Sequence, residues 1–434
     1  MDKMADVLGR AGAWCGQNKY LSAIKNAFQN FMPLTIAGAI GVLWCNVLVN
    51  ESTGLGIFFK PIMALEFLNP AFQAVNFCTI SCITVGITLG IAQEIGVWNM
   101  GAERAGYIPG LVGLAAWLSV TNTSHMVEGA KEAFTGIAGN ELGATGLFTG
   151  MIIGVLSVEL FCFFEKQDAL KIKMPEQVPP GVARAFEVLV PATITLIITA
   201  CIGSACYNLT GLYLNDVIKN GIQGPLGAVG ATIPGVMIIY LVIMLFWLVG
   251  IHGNNMLSAV KEALFTPLAL ENVEKFNKGE KPTNIINMYA LQMWGEFGGS
   301  GVTIGLVIAI MIFGKCEDNK AIATLSLVPG LFNINETVTF GVPMVLNPIL
   351  GIPFVVAPLI TIIIGYVLTV IGFCPVACLT VPWTTPPIVF GFLACGANVM
   401  GAVTQAILIV VSTVIYVPFL IAYEKYQNKQ AAEA

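Results

Sequence analysis

Long apolar runs separated by short polar connections constrain the fold of this chain more than any other feature. Hydrophobic residues make up 56% of its 434 residues, charged residues only 10%, and the mean hydropathy is +0.81. A soluble globular protein needs more polar surface than this composition supplies. Several apolar runs have the roughly 17 to 25 residues that a helix needs to cross a bilayer. The sequence therefore predicts an all-α, polytopic integral membrane protein.

The first half of the chain contains the clearest predicted spans, and the second half is more broken. The clear spans lie near residues 31 to 50, 71 to 93, 105 to 121, 143 to 164, 185 to 209 and 231 to 251. Proline residues cut the later apolar stretches, at Pro329, Pro343, Pro348, Pro353, Pro358 and within 382 to 387. In a membrane protein such interruptions favour broken or re-entrant helices around a binding site.

Basic residues predict the orientation of the chain. A cytoplasmic N-terminus places 15 of the 20 Lys and Arg residues on the inner side, which agrees with the positive-inside rule. Because the C-terminus is also basic, both termini are expected in the cytoplasm, with an even number of spans, about ten. Residues 9 to 28 form an amphipathic stretch that we expect along the inner membrane surface. No removable signal peptide is recognisable before the first apolar segment.

One acidic residue, Glu336, lies in a broken apolar segment that runs from Gly330 to Pro343. An ionisable group inside a membrane is costly to insert and is by default a candidate for function. Asn333 and Asn335 place amide groups beside this acid. Carboxylate and amide groups together suit the recognition of sugar hydroxyls, because each hydroxyl both donates and accepts a hydrogen bond.

Other candidate residues surround the same kind of segment. His252, one of only two histidines, ends a span between two glycines, where it is either an interfacial cap or a donor to a substrate hydroxyl. Trp247 and Trp383 offer flat apolar faces for a sugar ring, although tryptophan is also common at membrane interfaces. The segment from Gly298 to Gly301 is either a turn that lines a pore or a simple helix break.

The eleven cysteines predict neither a metal site nor a disulfide framework. They are scattered through apolar segments without the spacing of a four-ligand zinc site. We therefore expect no bound metal and no cofactor. We also expect no nucleic-acid partner.

The segment from Gly330 to Pro343, with its Asn-Ile-Asn-Glu sequence, resembles the membrane IIC component of a sugar phosphotransferase system. So do Gly-Ile-His-Gly at 250 to 253, Gly-Gly-Ser-Gly at 298 to 301 and Pro-Trp at 382 to 383. The most similar branch transports lactose, cellobiose and diacetylchitobiose. The resemblance covers essentially the whole chain.

The resemblance implies a homodimer in the bacterial inner or plasma membrane, with ten spans and two re-entrant hairpins in each protomer. Residues 1–225 would form the dimerisation half, and residues 226–434 would hold the sugar. A phosphocysteine on a separate IIB protein, itself supplied by IIA, would phosphorylate the sugar. By motif match, Glu336 and His252 would be catalytic and sugar-binding residues. The implied sugar ligands further include Asn333, Asn335, Trp247, Trp383 and Asn140.

The expected substrate is a β-linked disaccharide, with cellobiose favoured over lactose and diacetylchitobiose. The alternative from a different class is an ion-coupled secondary transporter in which Glu336 is the coupling acid. A membrane enzyme or receptor without transport is disfavoured, because the sequence contains no cluster of catalytic groups and no large soluble domain.

Overall fold

The computed structural model describes residues 10, 13–14, 17–51, 56, 59–125, 134–175 and 177–433. These residues are mostly helical, which confirms the predicted class. Among the described residues the β-structure consists of two strands of two residues each, β1 (Ser124–His125) and β2 (Phe134–Thr135), which pair in an antiparallel arrangement. Parts of the predicted amphipathic stretch, residues 9, 11–12 and 15–16, lie outside the described residues, and a long helix begins at Lys19.

The α-helices follow one another along the chain with few long connections. In the first half they are α1 (Lys19–Leu43), α2 (Asn69–Asn76), α3 (Ile83–Met100), α4 (Ala102–Ala105), α5 (Ile108–Val120), α6 (Gly139–Leu142), α7 (Ala144–Glu165), α8 (Pro180–Thr210), α9 (Leu214–Ile218) and α10 (Gly224–Gly230). In the second half they are α11 (Ile233–Leu248), α12 (Gly253–Met256), α13 (Ser258–Asn277), α14 (Met288–Gly295), α15 (Ile304–Phe313), α16 (Glu317–Leu331), α17 (Glu336–Gly341), α18 (Gly351–Val370), α19 (Val389–Ala394) and α20 (Val399–Glu433).

Short π and 3-10 segments extend several of these helices. The π-helical segments are Trp44–Leu48, Phe77–Ser81 and Lys219–Gln223, and the 3-10 segments are Lys60–Leu68 and Asp168–Leu170. They make some apolar stretches longer than the α-helices alone.

Five helical segments among the described residues are long and apolar enough to cross a membrane: Lys19–Leu48, Ala144–Glu165, Pro180–Thr210, Gly351–Val370 and Val399–Lys429. A sixth candidate, Lys60–Ser81 with Ile83–Met100, is bent by 42°. Three further apolar helices, α5, α11 and α15, are shorter than a full span. Several segments in the second half are thus broken into pieces too short to cross a bilayer alone.

The proline-rich interruptions have unequal effects. Helix α16 ends at Leu331, two residues after Pro329, and α17 ends at Gly341, two residues before Pro343. The expectation that Pro353 and Pro358 also cut the chain is wrong, because α18 is continuous from Gly351 to Val370. Pro353 lies in the first turn, where the backbone N–H has no helical partner. Pro358 lies in the interior, a position that helices in apolar surroundings tolerate.

The described chain divides into two compact units. The C-terminal unit comprises Ala39–Gln73 and Val229–Ala434, together with the described residues before Gln17. The N-terminal unit comprises Gln17–Gly38 and Ala74–Ala228. The predicted functional division at residue 225 stays a prediction.

Small residues bring α3 and α7 together in the N-terminal unit. A Cβ on Gly150 of α7 would clash with Oγ1 of Thr88 on α3. Such close backbone approach is typical of helix packing in membranes, where small residues lie at the contact. Ile87 and Ile91 of α3 are completely buried beside it.

Large aromatic side chains fill the interior of the C-terminal unit. Trp247, Trp294, Phe354 and Tyr416 are all fully buried, although they come from four different helices. The hydroxyl of Tyr416 on α20 donates to the carbonyl oxygen of Gly301 at 2.8 Å. This bond anchors the glycine-rich segment between α14 and α15, which packs against Asn335, the residue before Glu336.

Candidate functional site

The structure brings His252 and Glu336 together in the C-terminal unit. Nε2 of His252 lies 3.8 Å from Oε1 of Glu336, and both side chains are partly exposed, 38% and 47%. The two residues are 84 positions apart in sequence. The distance is too long for a direct hydrogen bond, so the two groups face each other across a gap.

The orientation of the His252 ring is set by its own turn. Nδ1 accepts a hydrogen bond from the backbone N–H of Asn255 at 3.2 Å. In a neutral imidazole the other nitrogen then carries the proton. The ring also packs against the buried indole of Trp247, with 4.4 Å between ring centroids. His252 therefore presents an Nε2–H donor toward Glu336.

Glu336 begins the six-residue helix α17, and the residue before it is locked in place. The amide nitrogen of Asn335 donates to the carbonyl oxygen of Ser300 at 2.9 Å and to Oγ1 of Thr339 at 3.1 Å. Only 4% of Asn335 is exposed. Its amide nitrogen is therefore committed to holding the start of α17.

Asn333 joins three segments that meet at this site. Its Oδ1 accepts from the backbone N–H of Gly298 at 2.6 Å. Its amide nitrogen donates to the carbonyl oxygens of Trp383 and Thr385. The backbone of Asn333 has φ of 62°, a left-handed conformation that asparagine tolerates better than most residues. The turn before Glu336 is thus tied both to the glycine-rich segment and to the segment that carries Trp383.

The glycine-rich segment fits closely against Asn335. Gly299 has φ of +87°, and an added Cβ would lie 2.6 Å from Cβ of Asn335. Only glycine avoids both the strain and the clash at this position. The segment therefore supports the turn before Glu336. The sequence predicted either a pore-lining turn or a simple helix break here, and neither prediction included this supporting contact.

The tryptophans of the site differ in accessibility. Trp383 is 44% exposed, whereas Trp247 is 1% exposed and packs edge-on against Phe354. Trp383 is thus accessible from outside the unit, and Trp247 supports His252 from the interior. Asn140, the remaining predicted sugar ligand, is exposed on helix α6 of the N-terminal unit.

The sequence analysis missed a buried charged cluster in the same unit. Lys261 forms an ion pair with Glu296, and the hydroxyl of Tyr240 donates to the same carboxylate at 2.7 Å. Only 7% of the Lys261 side chain is exposed. The available signal was Glu296, an acid within the apolar and glycine-rich stretch from Trp294 to Gly301.

The geometry of the His252–Glu336 gap suits a single hydroxyl group. A hydroxyl oxygen placed about 2.8 Å from both Nε2 and Oε1 could accept from the histidine and donate to the carboxylate. Such an arrangement fixes the direction of the hydroxyl lone pairs. It can orient the group for reaction without strong base catalysis.

Comparison with known proteins identifies the family. The profile of the family described as "Phosphotransferase system, EIIC" matches residues 25–358. The chain belongs to the phosphotransferase system EIIC family. EIIC proteins are integral membrane transporters that carry a sugar and work with IIB and IIA partners, so the predicted resemblance is confirmed.

Relatives of this EIIC protein align over nearly its whole length. It is 32% identical to the oligo-beta-mannoside-specific EIIC component of Bacillus subtilis, over 98% of this chain and 94% of the relative. It is 30% identical to the cellobiose-specific EIIC component of Lactococcus lactis, over 98% of each chain. The crystal structure of ChbC, the IIC component of an N,N'-diacetylchitobiose-specific system, superposes with a TM-score of 0.88 and 29% identity over 97% of each chain.

Proposed function

We propose that this EIIC protein binds a β-linked disaccharide, cellobiose in the first place, and carries it into the cytoplasm as it is phosphorylated. The observation that carries the proposal is the 3.8 Å gap between His252 and Glu336, which fits one sugar hydroxyl. The substrate class is supported by the names of three relatives, which specify oligo-β-mannosides, cellobiose and diacetylchitobiose. Lactose and diacetylchitobiose are the competing substrates.

In the proposed mechanism Glu336 and His252 orient the hydroxyl that becomes phosphorylated. His252 donates from Nε2 to the hydroxyl oxygen, and Glu336 accepts the hydroxyl proton. The oxygen attacks the phosphorus of a phosphocysteine on IIB, the O–P bond forms, the S–P bond breaks, and the cysteine leaves as a thiolate. Positioning and electrostatics dominate phosphoryl transfer, so a precisely held hydroxyl supplies most of what the EIIC protein must contribute.

Phosphorylation also explains why the sugar stays in the cell. The phosphate group adds about 1.5 to 2 negative charges at neutral pH. Moving such a charge back through an apolar barrier is strongly unfavourable. Coupling transport to phosphorylation at the site thus makes uptake effectively one-way.

The surrounding residues have different proposed roles. Trp383, with its exposed ring, packs on the apolar face of a sugar ring, and Asn140 stays a proposed sugar ligand. Asn333, Asn335 and Trp247 were proposed as ligands too. Their observed contacts support a role in holding the acid and the histidine in position.

The proposed architecture follows the family resemblance. Each protomer has ten spans and two re-entrant hairpins, and the breaks around α16 and α17 support one such hairpin. The protein is a homodimer of the bacterial cell membrane whose dimerisation half is residues 1–225. Both termini lie in the cytoplasm, as the distribution of basic residues favours.

Membership of the EIIC family does not favour the ion-coupled alternative. A symporter that used Glu336 as its coupling acid would take up sugar without phosphoryl donors and would stop when the ion gradient is dissipated. Uptake that depends on phosphoenolpyruvate and persists without an ion gradient is the expected behaviour.

Equilibrium binding of labelled disaccharides to the purified protein tests the proposal. We expect saturable binding of cellobiose and a loss of at least about tenfold in affinity in Glu336→Gln, because a neutral amide replaces the carboxylate acceptor. Glu317→Gln is the matched control, since that acid is 84% exposed at the start of α16. Failure of the wild-type protein to bind any β-disaccharide, or unchanged binding in Glu336→Gln, would contradict the proposal.

A further inference from the structure

The hydrogen bonds of the His252 ring require a neutral imidazole. Nδ1 accepts from the backbone N–H of Asn255 at 3.2 Å, so this nitrogen carries no proton of its own. A protonated ring would also be drawn to the carboxylate of Glu336, 3.8 Å from Nε2, because a charged donor binds a carboxylate more strongly than a neutral one. The sugar hydroxyl would then compete with an ion pair for its acceptor. Recognition of the hydroxyl therefore requires a neutral His252.

Two carboxylates near His252 favour the opposite, cationic form of the ring. Glu336 at the start of α17 and Glu296 after α14 both interact electrostatically with the imidazole. A negative charge close to a histidine stabilises its protonated form. Lys261 of α13 is the cation that acts on the same ring, and it opposes the two acids.

Lys261 is held against Glu296 in the interior of the unit. Its Nζ forms an ion pair with Oε1 of Glu296, which also accepts from the hydroxyl of Tyr240 at 2.7 Å. Nζ lies 5.5 Å from the centroid of the Tyr240 ring, a cation–π distance. The next acid, Glu262, interacts with both charges of the pair and accepts a hydrogen bond from Thr266. The cation is thus fixed in place, and its charge offsets that of Glu296.

Hydrogen bonds connect this ion pair to the turn of His252. The carbonyl oxygen of Glu296 accepts from the backbone N–H of Gly299 at 3.0 Å. Ser300, the next residue, accepts on Oγ from the amide of Asn254 at 2.9 Å, and Asn254 lies two residues after His252. The fold therefore sets the position of the pair relative to the imidazole.

We propose that Lys261 is a positioning residue that keeps His252 neutral and so keeps the gap to Glu336 open for the sugar hydroxyl. It does this by offsetting the charge of Glu296, which would otherwise join Glu336 in favouring an imidazolium. The proposal rests on the proposed function, because the gap is kept open for a sugar. Lys261 itself does not contact the sugar and acts through the histidine.

The test follows the titration of His252 by nitrogen NMR of purified protein with isotope-labelled histidine. The chain has only two histidines, so a His125→Gln background leaves His252 as the single signal. Lys261→Met should raise the titration midpoint by about one pH unit, because a cation near the ring is lost. Tyr240 still donates to Glu296 in this variant and favours its charged form. Glu296→Gln should lower the midpoint, because an anion near the ring is lost.

Opposite shifts distinguish an electrostatic role from a structural one. A general loosening of the fold would expose the ring to water in both variants and move both midpoints in the same direction. Each variant alone has a predicted sign, so one that fails to fold leaves the other decisive. Lys278→Met is the matched control, since it removes a cation at the end of the same helix that pairs with Glu274 and is 58% exposed. Its midpoint should equal that of the background protein.

Cellobiose binding to the same proteins is the functional readout. At a pH halfway between the two midpoints, Lys261→Met should bind cellobiose about threefold more weakly than the background protein, because a smaller fraction of His252 is neutral. Above both midpoints the two proteins should bind equally, since the histidine is then neutral in each. A purely structural loss of affinity would not be restored by raising the pH.

The outcomes separate this inference from the function beneath it. Unchanged midpoints, or shifts of the same sign in Lys261→Met and Glu296→Gln, would overturn the inference while the proposed function stands. If the background protein binds no β-disaccharide, the proposed function falls. The titration, which needs no sugar, then still decides whether Lys261 sets the charge of His252.

Discussion

Lys261 and Glu296 form an ion pair in the interior of the unit that carries the His252–Glu336 pair. Their side chains are only 7% and 16% exposed. Lys261 belongs to α13, and Glu296 follows α14 directly before the glycine-rich segment. The pair therefore fixes one end of the segment that supports Asn335 and Glu336.

Removing one partner of this pair should destabilise the protein more than removing both. Lys261→Met leaves the Glu296 carboxylate buried without its cation, at an expected cost of about 3–5 kcal/mol. The double variant Lys261→Met with Glu296→Gln should recover part of that loss, because no uncompensated charge remains. Thermal unfolding of purified protein in detergent measures the stability of the single and of the double variant. A double variant less stable than Lys261→Met would contradict this account of the pair.

Gly299→Ala should impair the site while the protein remains folded. The added Cβ meets the side chain of Asn335 and strains a backbone with φ of +87°, so the turn before Glu336 must shift. A displacement near 1 Å can reduce reaction rates on the order of 10²-fold. The measurement is the rate of phosphoryl transfer to the sugar. Gly181→Ala is the control, since a Cβ at that position meets nothing within 4 Å.

Trp383→Ala should weaken sugar binding without a large loss of stability. The Trp383 ring is 44% exposed, so its removal creates little internal cavity but deletes an apolar surface for the sugar. We expect a loss of affinity of about tenfold, equivalent to about 1.4 kcal/mol. Trp98→Ala, which removes an indole that is 57% exposed on α3, should leave affinity unchanged. Equal affinities in Trp383→Ala and the wild type would remove Trp383 from the site.

Glu165 should be a stability residue with no part in sugar recognition. It is 2% exposed and forms ion pairs with Arg104 at 2.8 Å and with Arg184 at 2.9 Å. Glu165→Gln removes one of the two carboxylates that these arginines share, while Glu187 still pairs with both, so we expect destabilisation of about 1–3 kcal/mol. Asp168→Asn, at a carboxylate that is 81% exposed, should cost less than about 1 kcal/mol. The measurement is the unfolding temperature of each variant compared with that of the wild type. Equal unfolding temperatures for Glu165→Gln and the wild type would contradict a stabilising role for Glu165.

The sequence was informative where an ionisable residue stands out against apolar neighbours. Glu336 and His252 were predictable because charges and imidazoles are costly in a membrane and are retained for a reason. The structure brings these two side chains together, although the sequence alone contained no measure of their separation.

The supporting contacts were not predictable for a physical reason. Asn254, Ser300 and Asn335 meet through hydrogen bonds between segments that are 35 or more residues apart, and no local periodicity reports such contacts. The Lys261–Glu296 ion pair likewise joins residues 35 positions apart, so no local pattern reports it. Pro358 misled the helix boundaries, because an apolar environment preserves a helix that the same residue would break in water.

Phosphoryl transfer from phosphorylated IIB to cellobiose tests the central claim most directly. The rate should be compared between wild type and Glu336→Gln at a sugar concentration that saturates both, so that weaker binding does not mask the effect. The account predicts a fall of at least about 10²-fold in the variant, because the hydroxyl loses the carboxylate that orients it and accepts its proton. An unchanged rate in Glu336→Gln would contradict the assignment of Glu336 to the reacting hydroxyl.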